Sequence, residues 1–408
     1  MAELSARPPK VLIVGAGPTG LTLALVLARA GISVRIIEKQ SARSDKSRAL
    51  GVHAGSLELF DALLGDSVSK AMIAAGHVAH EITLGFEGGK TAVASLDRVP
   101  SRYNFVLILA QSETERFLEE ELLRRGVAVE RRKEFAGLEE FSEAVRVELR
   151  DDGGKTESVR ADFVVGCDGS HSGVRESLGL TFTGVQYPGA FMLADLTLEW
   201  PWNYEGVRTF VTRKGASAFF PFKEKGRYRM VVVPREGSAF TTASEPTLAD
   251  FQRWVDEVLR QPIKLRDPTW ITGFRIHRRI ANSCGRHRVF LAGDAAHIHS
   301  PVGGQGMNIG IHDAVNLGRR IADVLRERAP MTTLEGYERE RRPVAEWVSR
   351  ITGFVLRTAT RPESPLTGLV VRFVLPFFAN LRFLQGILAR AISEVGPARR
   401  EIARLRRE

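Results

Sequence analysis

The sequence predicts an α/β fold in which a discontinuous first domain is interrupted by a second domain that is rich in β-strands. The first observation is a buried strand over Val11–Val14 that leads into a glycine-rich turn and an apolar helix. The second is a pair of strand-like segments, near residues 160 and 290, that end in glycine-aspartate turns. The third is the stretch 191–233, where short β-like runs and turns predict a mostly antiparallel sheet.

Length and composition exclude several classes of protein. With 408 residues, of which 44% are apolar and 26% charged, the chain is typical of a globular protein with two or three domains rather than of a disordered one. Its two cysteines, Cys167 and Cys284, lack the spacing of a disulfide framework or a zinc site, so a reducing cytoplasm is the expected location. Residues 1–10 lack the apolar segment of a signal peptide, and no apolar run has the length of a membrane span.

The net charge of +10 is concentrated towards residue 408. Residues 341–408 hold 13 arginines and five glutamates, a balance of +8, so the remainder is nearly neutral. Nucleic-acid binding would need basic residues interleaved with exposed aromatic ones, or a recognition helix. The sequence contains no such module, and we expect no nucleic-acid partner.

The turn Gly15-Ala16-Gly17-Pro18-Thr19-Gly20 predicts a dinucleotide site. In such a turn the first glycine permits a tight bend, the second lets the backbone approach a pyrophosphate, and the third allows close packing of helix on strand. The phosphates then lie over the helix N-terminus, where free N–H groups and the helix dipole favour anions. The helix is expected to end at Gly31, and Ile32–Glu38 is expected to form the second strand.

The carboxylate of Glu38 is the expected ligand of an adenosine ribose. Glu38 lies at the end of the second predicted strand, 18 residues beyond Gly20, where it can accept hydrogen bonds from ribose hydroxyls and would repel the 2′-phosphate of NADP. The next residue, Lys39, is included among the predicted cofactor-binding residues. These features predict a bound dinucleotide and leave FAD and NAD as alternatives.

Local patterns predict the elements that follow. Ser112 and Glu115 have the spacing of a capping box, which predicts a helix that continues to Arg125. The turn signal at 151–154 predicts a hairpin. The other predicted elements are the strand Phe105–Leu109, the hairpin strands Ala144–Leu149 and Ser158–Val165, the helix Leu248–Leu259, the strand Val289–Leu291 and a helix over residues 306–326.

Two further motifs resemble those of a known enzyme family. One is Leu291-Ala292-Gly293-Asp294-Ala295-Ala296-His297, followed by Pro301 and by Gly303-Gly304-Gln305-Gly306-Met307-Asn308. The other is Cys167-Asp168-Gly169-Ser170, with Ser172 and Arg175 close behind. Together with the N-terminal turn they resemble the FAD-dependent aromatic hydroxylases, the class A flavoprotein monooxygenases typified by p-hydroxybenzoate hydroxylase. The segment Ser47-Arg48-Ala49-Leu50-Gly51 is most similar to the polyketide and phenol hydroxylases, and the resemblance covers about residues 8–345.

The resemblance implies a fold and its boundaries. It implies a Rossmann-like, GR2-type FAD-binding domain over residues 1–76, 102–180 and 274–345, with an inserted antiparallel β-sheet substrate domain over 77–101 and 181–273. Residues 346–408 are expected to form a C-terminal helical segment. The thioredoxin-like domain that many polyketide-type relatives carry is expected to be absent.

The resemblance also implies which residues hold FAD. Asp294 would accept hydrogen bonds from the ribityl chain, and main-chain groups of Met307 and Asn308, at a helix N-terminus, would face the flavin edge that becomes negative on reduction. Asp168 and Arg175 match a motif linked to FAD and NAD(P)H use, with a structural role as the alternative. The predicted cofactor-binding residues are Gly15, Gly17, Pro18, Thr19, Gly20, Glu38, Lys39, Arg48, Gln111, Asp168, Gly293, Asp294, Pro301, Gly304, Gly306, Met307 and Asn308.

The implied reaction is the hydroxylation of an aromatic or polycyclic small molecule that is polyketide-like or phenolic. In the family, NAD(P)H docks transiently and reduces the flavin, molecular oxygen adds at the flavin C4a carbon, and the C4a-hydroperoxyflavin transfers a hydroxyl group to the ring. No catalytic side chain is identified, because the cofactor carries the chemistry. The identity of the substrate, NADH versus NADPH, and the oligomeric state, including a homodimer, are left open.

The substrate is expected between the flavin and the β-rich region. The predicted lining residues are Phe210, Phe220, Phe222 and Pro301, with Phe219 and Pro221 beside them. Aromatic side chains there would stack on a flat apolar substrate. Ordinary packing of the sheet is the alternative for each phenylalanine.

Two other functions stay open. Trp200-Pro201-Trp202 is similar to the tryptophan pair of flavin-dependent halogenases, although Tyr204-Glu205 replaces the expected Ile-Pro. A non-oxygenating flavin oxidoreductase or flavin-binding protein is the second. His297 and His299 have HxH spacing, but no further ligand follows at a usual spacing, and we predict no metal site.

An apolar segment precedes a basic one near the end of the sequence. Residues 365–388 are largely apolar, and five arginines follow between 399 and 407. One interpretation is packing on the FAD-binding domain or at a dimer face. The other is peripheral contact of residues 365–408 with the inner face of a membrane, through an apolar patch and a basic flank on anionic lipid.

Overall fold

The computed structural model describes residues 9–44, 46, 49–86, 91–187, 191–200, 205–237, 240, 245–360 and 393–406. The strands are β1 Val11–Val14, β2 Val34–Glu38, β3 Gly51–Val52, β4 His77–Ala79, β5 Glu81–Phe86, β6 Thr91–Ser95, β7 Val106–Ile108, β8 Val129–Arg131, β9 Lys133–Glu140, β10 Val145–Asp151, β11 Thr156–Ala161, β12 Phe163–Gly166, β13 Phe182–Gln186, β14 Phe191–Glu199, β15 Val207–Thr212, β16 Gly215–Pro221, β17 Arg227–Pro234, β18 Lys264–Phe274, β19 His277–Ala281, β20 Gly285–Arg286, β21 Val289–Leu291 and β22 His297–Ile298. The α-helices are α1 Pro18–Arg29, α2 Ala54–Leu64, α3 Asp66–Ala75, α4 Gln111–Arg124, α5 Gly173–Ser177, α6 Leu248–Trp254, α7 Gln305–Leu325, α8 Glu335–Thr360 and α9 Val395–Leu405.

A six-stranded sheet with the order β20-β21-β12-β1-β2-β8 carries the predicted dinucleotide turn. β1 lies at its centre, parallel to β12 on one side and to β2 on the other, with Val14 opposite Gly166 and Ile37. All four residues of β1 are buried, as expected for consecutive apolar residues in a strand that is covered on both faces. Because β1, β12 and β21 run parallel, the turns that follow them meet at one edge of the sheet.

The predicted hairpin is correct in one part and wrong in another. β10 and β11 pair in antiparallel fashion, with Val145 opposite Ala161. The prediction that the second strand continues to Val165 is wrong, because the chain leaves the hairpin after Ala161 and Phe163–Gly166 forms β12 of the central sheet. The four residues of β12 are all buried, which is typical of a central parallel strand rather than of a hairpin edge.

Helices α1 and α7 pack together on the face of β1 that Val11 and Ile13 present. Gly318 permits their close approach, because a Cβ there would lie 2.9 Å from the side chains of Leu23 and Val26. α7 begins at Gln305, one residue before the predicted start. Both helices therefore direct their N-termini towards the strand ends of the central sheet.

The start of α4 differs from the prediction. The helix begins at Gln111 with Ala110 as its N-cap residue, so Ser112 lies inside the first turn. The predicted capping box is therefore not formed. Gln111 instead occupies the first helical position, which places its side chain at the helix start.

A seven-stranded sheet has the order β18-β14-β17-β16-β15-β5-β6. Its neighbouring strands are antiparallel except for β5 and β15, which are parallel. α6 covers one face of this sheet, where Phe251 and Trp254 pack with Phe219 and Met230. In β16 every second residue is buried, as expected when the two faces of a sheet have different surroundings.

α6 is shorter than the predicted helix. It begins after a capping box formed by Thr247 and Asp250, and its α-helical part ends at Trp254. The rest of the predicted helix, Val255–Leu259, is a π-helical turn. The apolar periodicity continues through both parts, which explains why the sequence pattern does not reveal the change.

Helix α9 packs against α2 and α7. Asn316 of α7 donates a hydrogen bond to Glu401 of α9 at 2.8 Å. Gly55 of α2 lies so close to Glu394 that a Cβ would be 2.6 Å from the Glu394 carbonyl oxygen. Glu394 and α9 therefore pack on the nucleotide-binding part of the chain. This agrees with the interpretation in which the end of the sequence packs on the FAD-binding domain.

The apolar segment 365–388, on which the predicted membrane contact depends, lies outside the described residues. Within the part of the chain that the structure describes, no helix combines the length and the hydropathy needed to cross a bilayer.

Candidate functional site

The turn between β1 and α1 forms an open cradle at a helix N-terminus. Gly15 has a φ of +102°, and a Cβ there would collide with the carbonyl oxygen of Cys167. A Cβ on Gly20 would collide with the carbonyl oxygen of Gly15. At Gly17, in contrast, no atom of the described residues lies within 4 Å of the position that a Cβ would take. The first and third glycines therefore serve packing, and the space in front of Gly17 is free for an anion at the start of α1.

Glu38 lies beside this cradle. Its Oε2 accepts a hydrogen bond from the backbone N–H of Ala16, and its Oε1 accepts one from that of Gln40, each at 3.0 Å. Each carboxylate oxygen keeps a lone pair for a further donor, so these bonds orient the carboxylate without using its capacity. The adjacent Lys39 is exposed.

Gln111 is the first residue of α4, a helix whose start lies near Glu38. Its Nε2 donates a hydrogen bond to Oε1 of Glu115 at 2.8 Å. Burial raises the pKa of Glu115, and the charge of nearby Glu38 adds to the rise against the hydrogen bond from Gln111. The start of α4 thus faces the end of β2. Arg48, another of the predicted cofactor-binding residues, lies outside the described residues.

Asp168 follows β12 and stands next to the cradle. Its Oδ2 accepts a hydrogen bond from the backbone N–H of Val174 at 3.2 Å, while Oδ1 has no hydrogen-bond partner among the described residues. Burial raises the pKa of Asp168, and hydrogen bonds with Ser172 and with Val174 oppose the rise. This oxygen is buried, so the carboxyl group of Asp168 is placed to hold the turn between β12 and α5.

Arg175 is held by internal contacts. It donates hydrogen bonds to the carbonyl oxygens of Ala295 and Ser170, each at 3.0 Å. Its guanidinium carbon lies 4.0 Å from the ring centre of Phe182. These contacts tie α5 to the turn after β21 and favour the structural alternative for Arg175.

The turn after β21 meets the first helix at Thr19. Gly293 has a φ of +62°, and a Cβ there would collide with the hydroxyl oxygen of Thr19. A Cβ on Gly310 of α7 would collide with the same oxygen. Three chain segments therefore touch at one hydroxyl, which explains the glycines at both positions.

Asp294 lies in the wall of the cleft that these segments enclose. The residue is exposed to solvent although protein surrounds its carboxyl group, as in a concave wall. Burial by this surrounding protein raises the pKa of Asp294, and the charge of His297 opposes the rise. The carboxyl group is placed to accept hydrogen bonds from hydroxyl groups in the cleft.

The start of α7 is exposed to the same cleft. Gly303 and Gly304 have φ values of +81° and +64°, and both are exposed together with Pro301. No described side chain caps this 21-residue helix, so its first N–H groups are left for a ligand. The side chain of Met307 packs into the main apolar core, which leaves its main chain as the part available to the cleft.

The side chain of Asn308 has a role that the sequence analysis missed. Its Oδ1 accepts hydrogen bonds from the backbone N–H of His53 at 2.9 Å and from the hydroxyl of Ser56 at 2.8 Å. Its Nδ2 donates to the carbonyl oxygens of Gly51 and Gly304, each at 2.9 Å. Asn308 therefore fastens the start of α7 to the start of α2. His53 and Ser56 follow the Ser47–Gly51 motif directly, and that position is the one signal that could have identified them.

A buried ion cluster lies behind the start of α7. Asp313 accepts hydrogen bonds from the backbone N–H of Gly293 at 3.2 Å, from His297 Nε2 at 2.6 Å and from Arg341 Nε at 2.6 Å. Burial would raise the pKa of Asp313, but the charges and hydrogen bonds of Arg341 and His297 outweigh it and bring the pKa to about 2. The cluster thus holds the turn that carries Asp294.

His299 is a neutral ring whose nitrogens are enclosed by protein near the start of α7. Its Nδ1 donates a hydrogen bond to the carbonyl oxygen of Ser300 at 2.9 Å, and its Nε2 has no hydrogen-bond partner among the described residues. Burial lowers the pKa of His299 to about 4, so the ring is neutral at pH 7. Its ring lies 3.8 Å from the place of a Cβ on Gly306. Among the described residues, no cluster of side chains has the composition of a metal site.

One face of the seven-stranded sheet, here called the site face, reaches the start of α7. Phe220 lies opposite Arg229, which lies opposite Asp195, which lies opposite Trp270, and residues directly opposite each other share a face. Phe191 is two pairs further along this face, and it belongs to an apolar cluster against which Val302, the neighbour of Pro301, packs. The site face is therefore continuous with the cleft.

Arg229 and Asp195 form an ion pair on the site face. Its Nε and Nη2 bind the two carboxylate oxygens of Asp195, each at 2.7 Å. The guanidinium carbon lies 5.1 Å from the ring centre of Trp270 and 5.8 Å from that of Phe222. Arg229 and Trp270 were not identified from the sequence.

The predicted phenylalanines lie on different faces. Phe220 and Phe222 pack towards the main core of the nucleotide-binding part. Phe210 lies opposite Ser217 and makes an edge contact with Phe219 at 5.9 Å between ring centres, on the face that α6 covers. The structure therefore does not bring Phe210 together with Phe220.

The chain matches known proteins over most of its length. A family model described as an FAD binding domain matches residues 9–352. The 6-methylpretetramide 4-monooxygenase of Streptomyces rimosus is 36% identical over 366 residues, which cover 88% of this chain and 62% of that protein. The pentachlorophenol 4-monooxygenase of Sphingobium chlorophenolicum is 33% identical over 346 residues, which cover 82% of this chain and 62% of that protein. This chain thus spans less than two thirds of the length of either relative.

Solved structures show the same fold. OxyS, an anhydrotetracycline hydroxylase from Streptomyces rimosus, superposes with a TM-score of 0.76 at 30% identity, over 94% of this chain and 75% of that one. The p-nitrophenol 4-monooxygenase PnpA from Pseudomonas putida DLL-E4 superposes with a TM-score of 0.80 at 22% identity, over 95% of this chain and 98% of that one. The motifs, the cleft and the match over residues 9–352 together show that the chain belongs to the family of FAD-dependent aromatic hydroxylases, with FAD as its cofactor.

Proposed function

We propose that the protein is a monooxygenase that uses FAD, NAD(P)H and molecular oxygen to hydroxylate a phenolic or polycyclic aromatic small molecule. The observation that carries the proposal is the convergence of the β1–α1 cradle, Asp294 and the start of α7 on one cleft. The aromatic site face of the sheet reaches that cleft beside Pro301. A flavin and a flat substrate would therefore lie next to each other.

The residues of the cleft fit FAD. The open space at Gly17 suits a pyrophosphate over the start of α1. The lone pairs of Glu38 and Asp294 suit the hydroxyls of the adenosine ribose and the ribityl chain, respectively. The uncapped first turn of α7 offers N–H donors at the opposite end of the cleft.

In this proposal the two large sheets have separate tasks. The six-stranded sheet with α1 and α7 forms the FAD-binding domain, of residues 1–76, 102–180 and 274–345. The seven-stranded sheet forms the inserted substrate domain, of residues 77–101 and 181–273. The pairing of β5 from the first of these segments with β15 from the second supports that division.

The chain's own residues position and protect the reacting groups. Bound FAD supplies the transfer of hydride and the activation of oxygen. The N–H groups at the start of α7 favour negative charge at the edge of the ring that they face. Phe220 stacks on the substrate, and the apolar cluster of Phe191, against which Val302 packs, keeps water out of the junction between the sheet and the helix start.

The proposed substrate class rests on the relatives. Their names contain 6-methylpretetramide, anhydrotetracycline and pentachlorophenol. The half-buried aromatic side chains of the site face, Phe220 and Trp270, suit flat rings of this kind. The activity is proposed for this chain as it stands, which spans only part of the length of the first two relatives.

The placement of Trp200 supports hydroxylation over halogenation. Its ring lies 4.9 Å from that of Phe219 and 5.6 Å from that of Tyr228, between ring centres, in the cluster on the face that α6 covers. The second tryptophan of the pair, Trp202, lies outside the described residues. Trp200 is therefore placed for packing of the sheet rather than for contact with a flavin.

The test is an assay of the purified, FAD-loaded protein. We expect a flavin spectrum, and we expect a panel of phenols and polycyclic phenols to contain a compound that raises NAD(P)H oxidation and oxygen uptake together and gains one oxygen atom. A colourless protein that cannot be reconstituted with FAD would overturn the proposal. Flavin binding with no oxygenated product across the panel would favour a non-oxygenating flavoprotein, and a chloride-dependent product would favour a halogenase.

A further inference from the structure

Helix α8 exposes a concentrated set of apolar side chains. A surface helix normally turns its apolar side chains towards the protein and its polar ones towards water. Among the described residues nine large apolar side chains are exposed, and four of them lie close together in α8. These four, here called the α8 stripe, are Trp347, Ile351, Phe354 and Val355, with exposed fractions from 45% to 65%. An exposed apolar patch of this kind marks a surface that contacts a partner.

The four side chains of the α8 stripe lie on one face of the helix. At 100° per residue, their positions fall within about 100° of the helix circumference, which is the width of an apolar face. Pro343, which is exposed, and Val344, which is half-buried, continue this face towards the start of the helix. The stripe is therefore a continuous surface rather than a set of isolated side chains.

The packing of α8 on the protein does not require the stripe. In the same turns, Ser349 and Thr352 are buried on the inward side, and Thr352 donates a hydrogen bond to the carbonyl oxygen of Val348 at 2.8 Å. A Cβ on Gly353 would collide with the hydroxyl oxygen of Tyr187. The helix thus buries polar and small residues while it exposes large apolar ones, so a contact outside the described residues would stabilise the outward face.

Arginines flank one edge of the stripe. Arg339, Arg350 and Arg357 have spacings of 11 and 7 residues, which place them within about 20° of one another around the helix. Arg350 Nε donates a hydrogen bond to the carbonyl oxygen of Glu346 at 3.4 Å, and none of the three arginines forms an ion pair with a described carboxylate. Their long side chains can lie along an apolar surface while the charges stay at its polar boundary.

The positive charge continues onto α9. Trp347 lines the same cavity as Pro397 of α9, so the two helices adjoin at this point. Arg400 is one turn beyond Pro397 and is exposed. The net charge of +8 over residues 341–408 has the same sign. The apolar stripe therefore lies in a positively charged part of the molecule, and its partner is expected to be apolar and anionic.

We propose that the α8 stripe and its flanking arginines bind the surface of a bilayer that contains anionic lipid. The apolar side chains enter the boundary between headgroups and acyl chains, Trp347 lies at the level of the headgroups, and the arginines contact lipid phosphates. A second copy of the chain offers less complementarity, because the stripe carries no carboxylate for the arginines. The inference goes beyond the proposed function, because it requires no flavin chemistry, and it does not depend on the apolar segment 365–388.

The test is flotation of the FAD-loaded protein with vesicles of phosphatidylcholine, with and without phosphatidylglycerol. We expect binding to the anionic vesicles to be about ten-fold stronger or more, and to fall when salt is added, because salt screens the arginines. Vesicles with brominated acyl chains should quench the fluorescence of the native protein more than that of Trp347→Phe. These two measurements report the charge and the apolar part of the contact separately.

Phe354→Ser removes the most exposed ring of the stripe and is expected to weaken binding to anionic vesicles by about ten-fold. Leu123→Ser is the matched control, because Leu123 is 63% exposed on α4, away from α8, and its loss should leave binding unchanged. Arg350→Gln is expected to weaken binding to anionic vesicles by about five-fold and to leave binding to neutral ones unchanged. Thermal unfolding and FAD content show that each variant is folded, and Ile351→Ser replaces Phe354→Ser if the latter is not.

No binding to anionic vesicles, or native binding by both Phe354→Ser and Arg350→Gln, would overturn the proposal. Loss of binding only on deletion of residues 365–388 would assign the contact to that segment instead of α8. Sedimentation velocity without lipid tests the other occupant of the face. A dimer that Phe354→Ser dissociates would show that a second copy covers the stripe, and would also overturn the proposal. The absence of oxygenase activity would leave all of these measurements unaffected.

Discussion

Arg341 Nε lies 2.6 Å from Oδ1 of Asp313, and both side chains are buried. The pair joins α8 to α7. The other oxygen of Asp313 accepts a hydrogen bond from the backbone N–H of Gly293, the residue before Asp294. A buried ion pair therefore helps to set the position of a predicted FAD-binding residue that it does not touch.

Arg341→Met is expected to destabilise the protein strongly. It leaves Asp313 buried without its main cation, and breaking a buried pair in this way costs about 3–5 kcal/mol. The free energy of unfolding, measured by denaturant titration, should fall by that amount, and the bound fraction of FAD should fall with it. Arg342→Met is the control, because Arg342 is half-buried and binds Glu338 and Glu346 near the surface, where about 1 kcal/mol or less is expected. Equal losses in the two variants would contradict the role of Asp313.

Asp313 should also make the stability depend on acid. Its pKa is about 2 in the folded protein against 3.8 ordinarily, so its contribution is present above pH 3.8 and is lost as the pH falls towards 2. The difference of nearly two units corresponds to about 2.5 kcal/mol at neutral pH. Denaturant titrations at several pH values should show that the gap in unfolding free energy between the native protein and Asp313→Asn narrows below pH 3.8. A constant gap would contradict this assignment.

Gly17→Ala should separate folding from FAD binding. The new Cβ would enter open space, so the unfolding temperature of the FAD-free protein should not change. The same Cβ would occupy the space assigned to the pyrophosphate, so the Kd for FAD should rise by about ten-fold or more. Gly137→Ala in β9 is the control, since its Cβ also meets open space but lies away from the cleft. Unchanged FAD affinity in Gly17→Ala would contradict the cradle.

Replacing Phe220 by alanine should change substrate binding, whereas replacing Phe210 by alanine should change stability. Phe220→Ala removes a ring from the site face and is expected to raise KM for the aromatic substrate by about ten-fold, with a smaller loss of stability. Phe210→Ala removes a ring from the face that α6 covers and is expected to lower the free energy of unfolding by about 2–4 kcal/mol with little change in KM. Steady-state kinetics measures KM for both variants, and denaturant titration measures their free energy of unfolding. The reverse pattern would place the substrate on the other face of the sheet.

Glu394 should make the folded protein less stable as the pH rises from 4.5 to 8. Its pKa is about 8 in the folded protein against 4.5 ordinarily, so folding holds a proton that the unfolded chain releases. Between pH 4.5 and 8 the stability should fall by about 1.4 kcal/mol for each pH unit through this group. Glu394→Gln removes the effect and should be more stable than the native protein at pH 8, with no such advantage near pH 4.5. A stability difference that does not vary with pH would argue against an un-ionised carboxyl group.

The central strands could be predicted from the sequence because burial on both faces leaves a clear signal. Val11–Val14 and Val289–Leu291 are apolar without interruption, and both strands have the predicted bounds. Phe163–Val165 carries the same signal, but the preceding alternating segment obscured it. The glycine turns were equally visible, because glycine is needed where a Cβ would collide with backbone, as at Gly15.

Contacts between distant segments could not be predicted. The side chain of Asn308 accepts hydrogen bonds from His53 and Ser56, which lie more than 250 residues earlier in the chain. Nothing in the local sequence pattern indicates these contacts. The face on which Phe210 lies depends on the register of β15 against β16, which an alternating pattern alone does not determine. Both features arise when the sheets and helices assemble.

The contact of Thr19 with Gly293 and Gly310 has a consequence for mutational tolerance. Because a side chain at either glycine would compete with one hydroxyl for the same volume, the three positions form a size-coupled unit although they lie far apart along the chain. A methyl group added at Gly310 has to be matched by a smaller side chain at position 19, so a library that varies these two positions one at a time would miss combinations that joint variation recovers. Gly293 has to stay glycine even then, because its φ of +62° disfavours any side chain.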